Sequence, residues 1–153
     1  HDISALHLIS HGADGSVQLG SGALDFDTLI RQAAQIKGWG NALTDSADIL
    51  IYGCDVAASQ GGKSLVEALA RLTGADVAAS EDLTGSAALG GDWDLEFHAG
   101  SIETPIVFSQ SVVLDWNAPV VSLPRTIYCQ TFSEPRWQRQ IFLAHQLAKC
   151  GVF

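Results

Sequence analysis

The chain contains no methionine and opens on His1, the mark expected of a processed product or an excised piece rather than of the start of a translated frame. Charged residues are scarce at 16 %, whereas apolar residues make up 47 %, a balance that excludes disordered and fibrous chains. No apolar run approaches the roughly 20 residues of a spanning helix, so no membrane span is expected. Cysteine is limited to Cys54, Cys129 and Cys150, with no CxxC pair, which argues against a structural zinc site. Neither a metal nor a cofactor is expected. Bases are few, eight Lys and Arg against seventeen Asp and Glu for a net charge of −9. Nucleic acid is therefore not an expected partner, because its binding needs a basic stripe.

What remains is a chain of 153 residues, enough for one domain with a sizeable core. Its charge is unevenly spread. Residues 1–115 hold sixteen acids and four bases, a balance of −12, and residues 116–153 hold one acid and four bases, a balance of +3. The texture changes at the same place. The first part reads as strand (5–10), helix, strand (48–53), helix (from Lys63 to about Thr73, closed by Gly74) and strand (75–79), an α/β order with a parallel centre. The helix between the first two strands would be capped by Asp25 or Asp27 and would bury Leu29, Ile30, Ala33, Ala34 and Ile36. Alternation over Trp93–Phe97 predicts an antiparallel strand, and Ile106–Phe108 and Val112–Leu114 are expected to extend the sheet edge. Beyond Trp116 the periodicity fades among Pro119, Pro124 and Pro135, with one helix expected over Trp137–Lys149. This basic tail is expected to lie outside the functional core. Cys129 and Cys150 would be free to pair in an oxidising compartment, which leaves Cys54 as the single thiol.

Two segments carry the chemistry. Residues 5–10 run apolar into His11-Gly12, and residues 48–53 run apolar into Cys54. A strand–helix–strand crossover makes its strands parallel, so their C-terminal ends share one edge, the edge at which open α/β sheets bind ligands. Neighbouring strands lie about 4.8 Å apart, and the residues just past each end can touch. A thiol with an ordinary pKa of about 8.5 is mostly protonated at neutral pH, and an adjacent imidazole can take that proton. Gly12 and Gly53 keep the backbone uncrowded beside each reactive group. The backbone amides of Gly12 and Cys54 would then serve a tetrahedral oxyanion, and a dyad is the economical reading.

Blander readings stand beside this one. A cysteine that ends an apolar run can be a small buried hydrophobe, and a strand-end histidine can be merely hydrogen bonded. His7 lies mid-strand and reads as core; His1, His98 and His145 belong to no constellation. The run Ala57-Ala58-Ser59-Gln60-Gly61-Gly62-Lys63-Ser64 satisfies a relaxed phosphate-loop pattern, but it lies well past the strand and has no partner Asp for magnesium. A loop leading into an exposed helix start accounts for it as well. Ser80, Glu81, Asp82 and Asp92 fall near the same edge and would line a substrate pocket favouring a basic side chain, unless they are simply solvated loop acids.

Residues 8–12 and 49–54 resemble the signature of the caspase-like cysteine peptidases, the group of caspases, clostripain, gingipains and separase. A closer resemblance is to a caspase-like domain family of very large bacterial surface and repeat proteins. There "SHG", "LYGC-VA" and "GADVAAS-DLTG---LGGDW-LE" recur, matched here by Ser10 to Gly12, Ile51 to Ala57 and Gly74 to Glu96. The resemblance covers about residues 2–115. It implies a caspase-like three-layer sandwich, mostly parallel in its sheet and here lacking a first strand and helix. It also implies His11 as general base, Cys54 as nucleophile and the amides of Gly12 and Cys54 as the oxyanion site.

The expected function is therefore that of a cysteine endopeptidase or self-processing domain. Its partner would be a peptide or protein substrate, the parent chain included, and its setting extracellular or at the cell surface. The strand edge left open by the missing front would suit a homodimer. The alternatives are a non-catalytic adhesion or assembly module of a surface protein and, more weakly, a nucleotide site through Lys63.

Overall fold

The computed structural model describes residues 3–85, 87–106, 126–131 and 141–143, the last two segments by backbone path and pairing. A six-stranded mixed sheet forms the centre, in the order β7-β6-β5-β1-β8-β9. Its parallel middle consists of β1 (Ile3–Ile9), β5 (Leu43–Tyr52) and β6 (Asp76–Ala79). From Ala47 to Tyr52 every residue of β5 is buried, as expected of a central strand covered on both faces. Side-chain alternation divides its contacts. Ile49 and Ile51 join Leu6, Leu8, Val77 and Ala79 in the larger core, and Leu50 and Tyr52 join Ile9 and Ala78 in the smaller one.

Helices cover the first face. α1 (Phe26–Arg31) and α2 (Ala33–Trp39) contribute Leu29, Ile36 and Trp39, and α3 (Gln60–Thr73) contributes Leu65, Val66 and Leu69. Asp25 caps α1 by accepting from the Thr28 amide at 2.7 Å, and those Thr28 hydrogen bonds hold its carboxyl below the usual carboxylate value. Ser59 caps α3, accepting from the amides of Gly61 and Gly62, and Gly74 closes the helix in the left-handed conformation (φ 76°). The first helical stretch differs from the expected single helix. It breaks at Gln32, and Ile30 is 59 % exposed, because a 100° step from Leu29 turns it off the buried face.

The second face has no helix among the described residues. Trp93, Leu95 and Ile102 cover it instead, packed with Tyr52 and Leu50. Of the expected three layers, the described residues supply helices on one side of the sheet and an irregular strap on the other. The alternation over residues 93–97 is real in burial, since Trp93 and Leu95 are buried and Asp94 and Glu96 exposed. It does not make a ladder, because those side chains cross the sheet face. Pairing begins only at β7 (Phe97–Ala99), antiparallel to β6.

A small meander lies between β1 and α1: β2 (Gly12–Ala13), β3 (Ser16–Leu19) and β4 (Gly22–Asp25). The tail departs most from expectation. β8 (Thr126–Thr131) pairs antiparallel with β1, and β9 (Ile141–Leu143) pairs with β8. Residues 141–143 are therefore strand, not part of a helix. The outer edge of β1, expected to stand open for a homodimer, is covered by the chain's own β8. The strands expected at residues 106–108 and 112–114 lie, apart from exposed Ile106, outside the described residues.

Candidate active site at the C-terminal edge of the sheet

β1 and β5 run in register to Ile9 opposite Tyr52, and the Ser10 amide continues the ladder onto the Tyr52 carbonyl at 3.1 Å. His11 and Cys54 both stand two residues past that last pair. The backbones stay together there. A Cβ on Gly12 would fall 2.6 Å from the Cys54 carbonyl oxygen, 2.6 Å from the Gly53 carbonyl carbon and 2.7 Å from Val56 Cγ2. A Cβ on Gly53 would lie 3.2 Å from Gly12 Cα. Only glycine at position 12 permits this approach, which sets the His11 and Cys54 segments side by side.

The cysteine loop is braced from two sides. Asp55 donates its amide to the Asp82 carbonyl at 2.8 Å, and Ala57 donates to the Ser80 carbonyl at 2.9 Å. Val56 accepts from the Gly15 amide at 3.0 Å, which ties the turn after β2 to the same loop. Asp55, directly after Cys54, adopts a left-handed backbone (φ 60°). That conformation costs energy for a residue with a Cβ and persists only where surrounding contacts enforce it. The Cys54 thiol donates to the Thr84 carbonyl at 3.6 Å, and Cys54 is 6 % exposed. His11 is half-buried, and its Nδ1 is buried with no hydrogen-bond partner among the described residues. An imidazole nitrogen in that condition is free to take a proton or to hydrogen-bond an arriving group.

The acids near this edge separate into two kinds. Ser80 is fully buried and spends its hydroxyl on the Asp82 carbonyl and carboxylate at 3.1 and 3.4 Å. It shapes the loop and has no surface for a substrate. Glu81 is occupied by Lys63 at 2.8 Å, and its amide donates to Glu96 at 2.7 Å. Asp82 and Asp92 are exposed and form no ion pair among the described residues. Burial of its carboxyl, followed by repulsion from Asp92, holds Asp82 above its ordinary value of 3.8; Asp55 and Asp94 push the same way.

Other candidates fall into structural roles. His7 is fully buried, stacks on Tyr52 and places Nδ1 3.2 Å from the tyrosine hydroxyl. His98 reaches the Leu95 carbonyl with Nε2 at 2.6 Å. The phosphate-loop reading of residues 57–64 fails on geometry. Ser59 Oγ already takes the amides of Gly61 and Gly62, and Lys63 is committed to Glu81 and to the face of Phe97. Gly62 is needed for packing, since a Cβ there would strike the Val56 carbonyl.

Sequence reasoning missed the Thr84 carbonyl as the thiol's partner and the strained Asp55. The only signal for either was the short spacing of Asp82 to Gly85 from β6. It also missed two carboxylate groupings. Asp82, Asp92 and Glu96 are all exposed; Asp48, Asp76 and Glu103 gather at the other end of the sheet.

Fold and edge together define a mixed α/β domain whose sheet, parallel at its centre, delivers a histidine and a cysteine to one rim. Over residues 1–119 the chain matches the family described as Domain of unknown function (DUF4347), and it belongs to that family. No curated protein matches the chain, and no solved structure does.

Proposed function

We propose that this DUF4347 domain is a caspase-like cysteine endopeptidase, acting on peptide bonds of a partner or of its own parent chain at the cell surface or outside the cell. The observation that carries this reading is the glycine-only contact of Gly12 with Gly53 and Cys54, beside His11 and Cys54 that each stand two residues past the last pair of two parallel strands. His11 takes the thiol proton from Cys54, and the thiolate sulfur attacks a substrate carbonyl carbon. The resulting oxyanion draws on the amides of Gly12 and Cys54, a contribution of about 3 kcal/mol per donor in other enzymes. His11 returns the proton to the leaving amine, and water, deprotonated by the same imidazole, releases the acid and restores the thiol. Asp82 and Asp92, exposed and without a cation among the described residues, favour a lysine or arginine beside the scissile bond.

The test is alkylation of Cys54 by iodoacetamide, mapped by mass spectrometry, together with turnover of peptides bearing Lys or Arg. Fast labelling that collapses in His11→Ala supports the dyad. Labelling at the rate of an ordinary thiol, unchanged by His11→Ala, refutes it. One observation favours a second reading, a non-catalytic adhesion or assembly module. Cys54 is nearly enclosed and its S–H is already engaged by Thr84, as in a cysteine kept for packing. Slow, His11-independent labelling in a well-folded protein is what that reading expects.

A further inference from the structure

At the opposite end of the sheet, Asp48 and Asp76 are direct neighbours in the β5–β6 register. The chain leaving β7 passes over them. Glu103 and Thr104 donate their amides to Asp48 Oδ2 at 3.2 and 2.8 Å, and Glu103 brings its own carboxylate. One oxygen from each of Asp48, Asp76 and Glu103 lies within 4.8 Å of the others. Asp48 is 1 % exposed, and its second oxygen, Oδ1, is buried with no hydrogen-bond partner among the described residues. No Lys, Arg or His forms an ion pair with any of the three among the described residues. Gly100 (φ 113°) is required here, because a Cβ would collide with the Asp76 carboxylate.

An orphaned oxygen on a buried carboxylate normally signals a missing partner, and three close carboxylates without a cation repel one another. We propose that Asp48, Asp76 and Glu103 bind a divalent cation of the calcium type, which pins the residue 100–104 turn onto the strands β5 and β6. Calcium fits better than its competitors. Its oxygen ligands sit about 2.3–2.6 Å from the ion, so two of them can be up to roughly 5 Å apart, whereas magnesium demands a tighter octahedron. With no thiol or imidazole in the group, zinc and copper have no preferred ligand. The site is separate from the Cys54 edge: six residues of extended chain from Asp48 to Cys54 span about 20 Å.

Calorimetric titration of the full chain with Ca²⁺, together with melting in EDTA and in about 1 mM Ca²⁺, tests this. One Ca²⁺ per chain and a Ca²⁺-dependent rise in melting temperature are expected. Asp76→Asn and Glu103→Gln should each weaken binding by about tenfold or more. In EDTA each should melt no lower than the wild type, since each removes one repelling charge. The combined Asp82→Asn, Asp92→Asn, Glu96→Gln variant should keep the binding. Absence of Ca²⁺ heat and of any melting shift in the wild type overturns the proposal. So does binding that survives Asp76→Asn with Glu103→Gln but disappears in the Asp82, Asp92, Glu96 variant.

Discussion

The two ends of the parallel sheet are built by opposite means. At the C-terminal end, two chain segments approach closely because Gly12 and Gly53 carry no side chains, and the proposed reactive groups, His11 and Cys54, are single residues at equal offsets from the last pair. At the N-terminal end, charge is gathered: Asp48 and Asp76 come from neighbouring strands, and Glu103 from the return strap. The first end depends on close backbone packing and fails when volume is added. The second depends on charge balance and responds to cations and to neutralising substitutions. One sheet thus carries a proposed reactive edge and a proposed anchoring edge that can be perturbed separately.

The largest expected effect breaks the reactive edge alone. His11→Ala should slow any peptide turnover by about 10²- to 10⁴-fold, the range of a lost general base, and return Cys54 alkylation to the rate of an ordinary thiol, with melting temperature nearly unchanged. Gly12→Ala comes next. The new methyl meets backbone atoms that cannot swing away, and overpacking of this kind costs about 1–3 kcal/mol. Chemical denaturation should show that loss, and the remaining folded protein should still bind Ca²⁺ at the far end. Ser59→Ala removes the α3 cap and should cost about 1 kcal/mol, measured by the same denaturation, with labelling unchanged because the main-chain amide of residue 59, which donates to Asp14 beside the cysteine loop at 3.0 Å, is kept.

The smallest effect concerns pH. The native state holds the Asp82 proton, mainly through burial and then through Asp92, beyond the ordinary value of 3.8. Native protein therefore binds more protons than the unfolded chain above that value, and Asp82 lowers stability as pH rises through its titration. Asp82→Asn should melt slightly higher than wild type at neutral pH. The difference should vanish below 3.8, which a melting series in pH checks.

The placement of His11 and Cys54 at one sheet edge was legible because apolar strand runs and the crossover rule act locally: residues 5–10 and 48–53 announce themselves, and the residue after each is then placed. Core histidine His7 was legible for the same reason. Ile30 was misplaced because an apolar residue one step off a helical stripe is indistinguishable in composition from one on it. Trp93 and Leu95 showed the right alternation but cover a face rather than pair at an edge, a choice made by Tyr52 and Leu50 across the sheet. The closing of β1 by residues 126–131 had no local signal, since long-range antiparallel pairing leaves no periodic trace between prolines. Asp48, Asp76 and Glu103 become neighbours only once β5–β6 register and the strap are known.

The rate of Cys54 alkylation at neutral pH, followed in a Cys129→Ser, Cys150→Ser background with and without His11→Ala, bears most directly on the proposed reactive edge. The paired arrangement predicts labelling faster than that of an ordinary thiol, falling to the ordinary rate once His11 is removed. An ordinary rate, identical in both proteins, would contradict it.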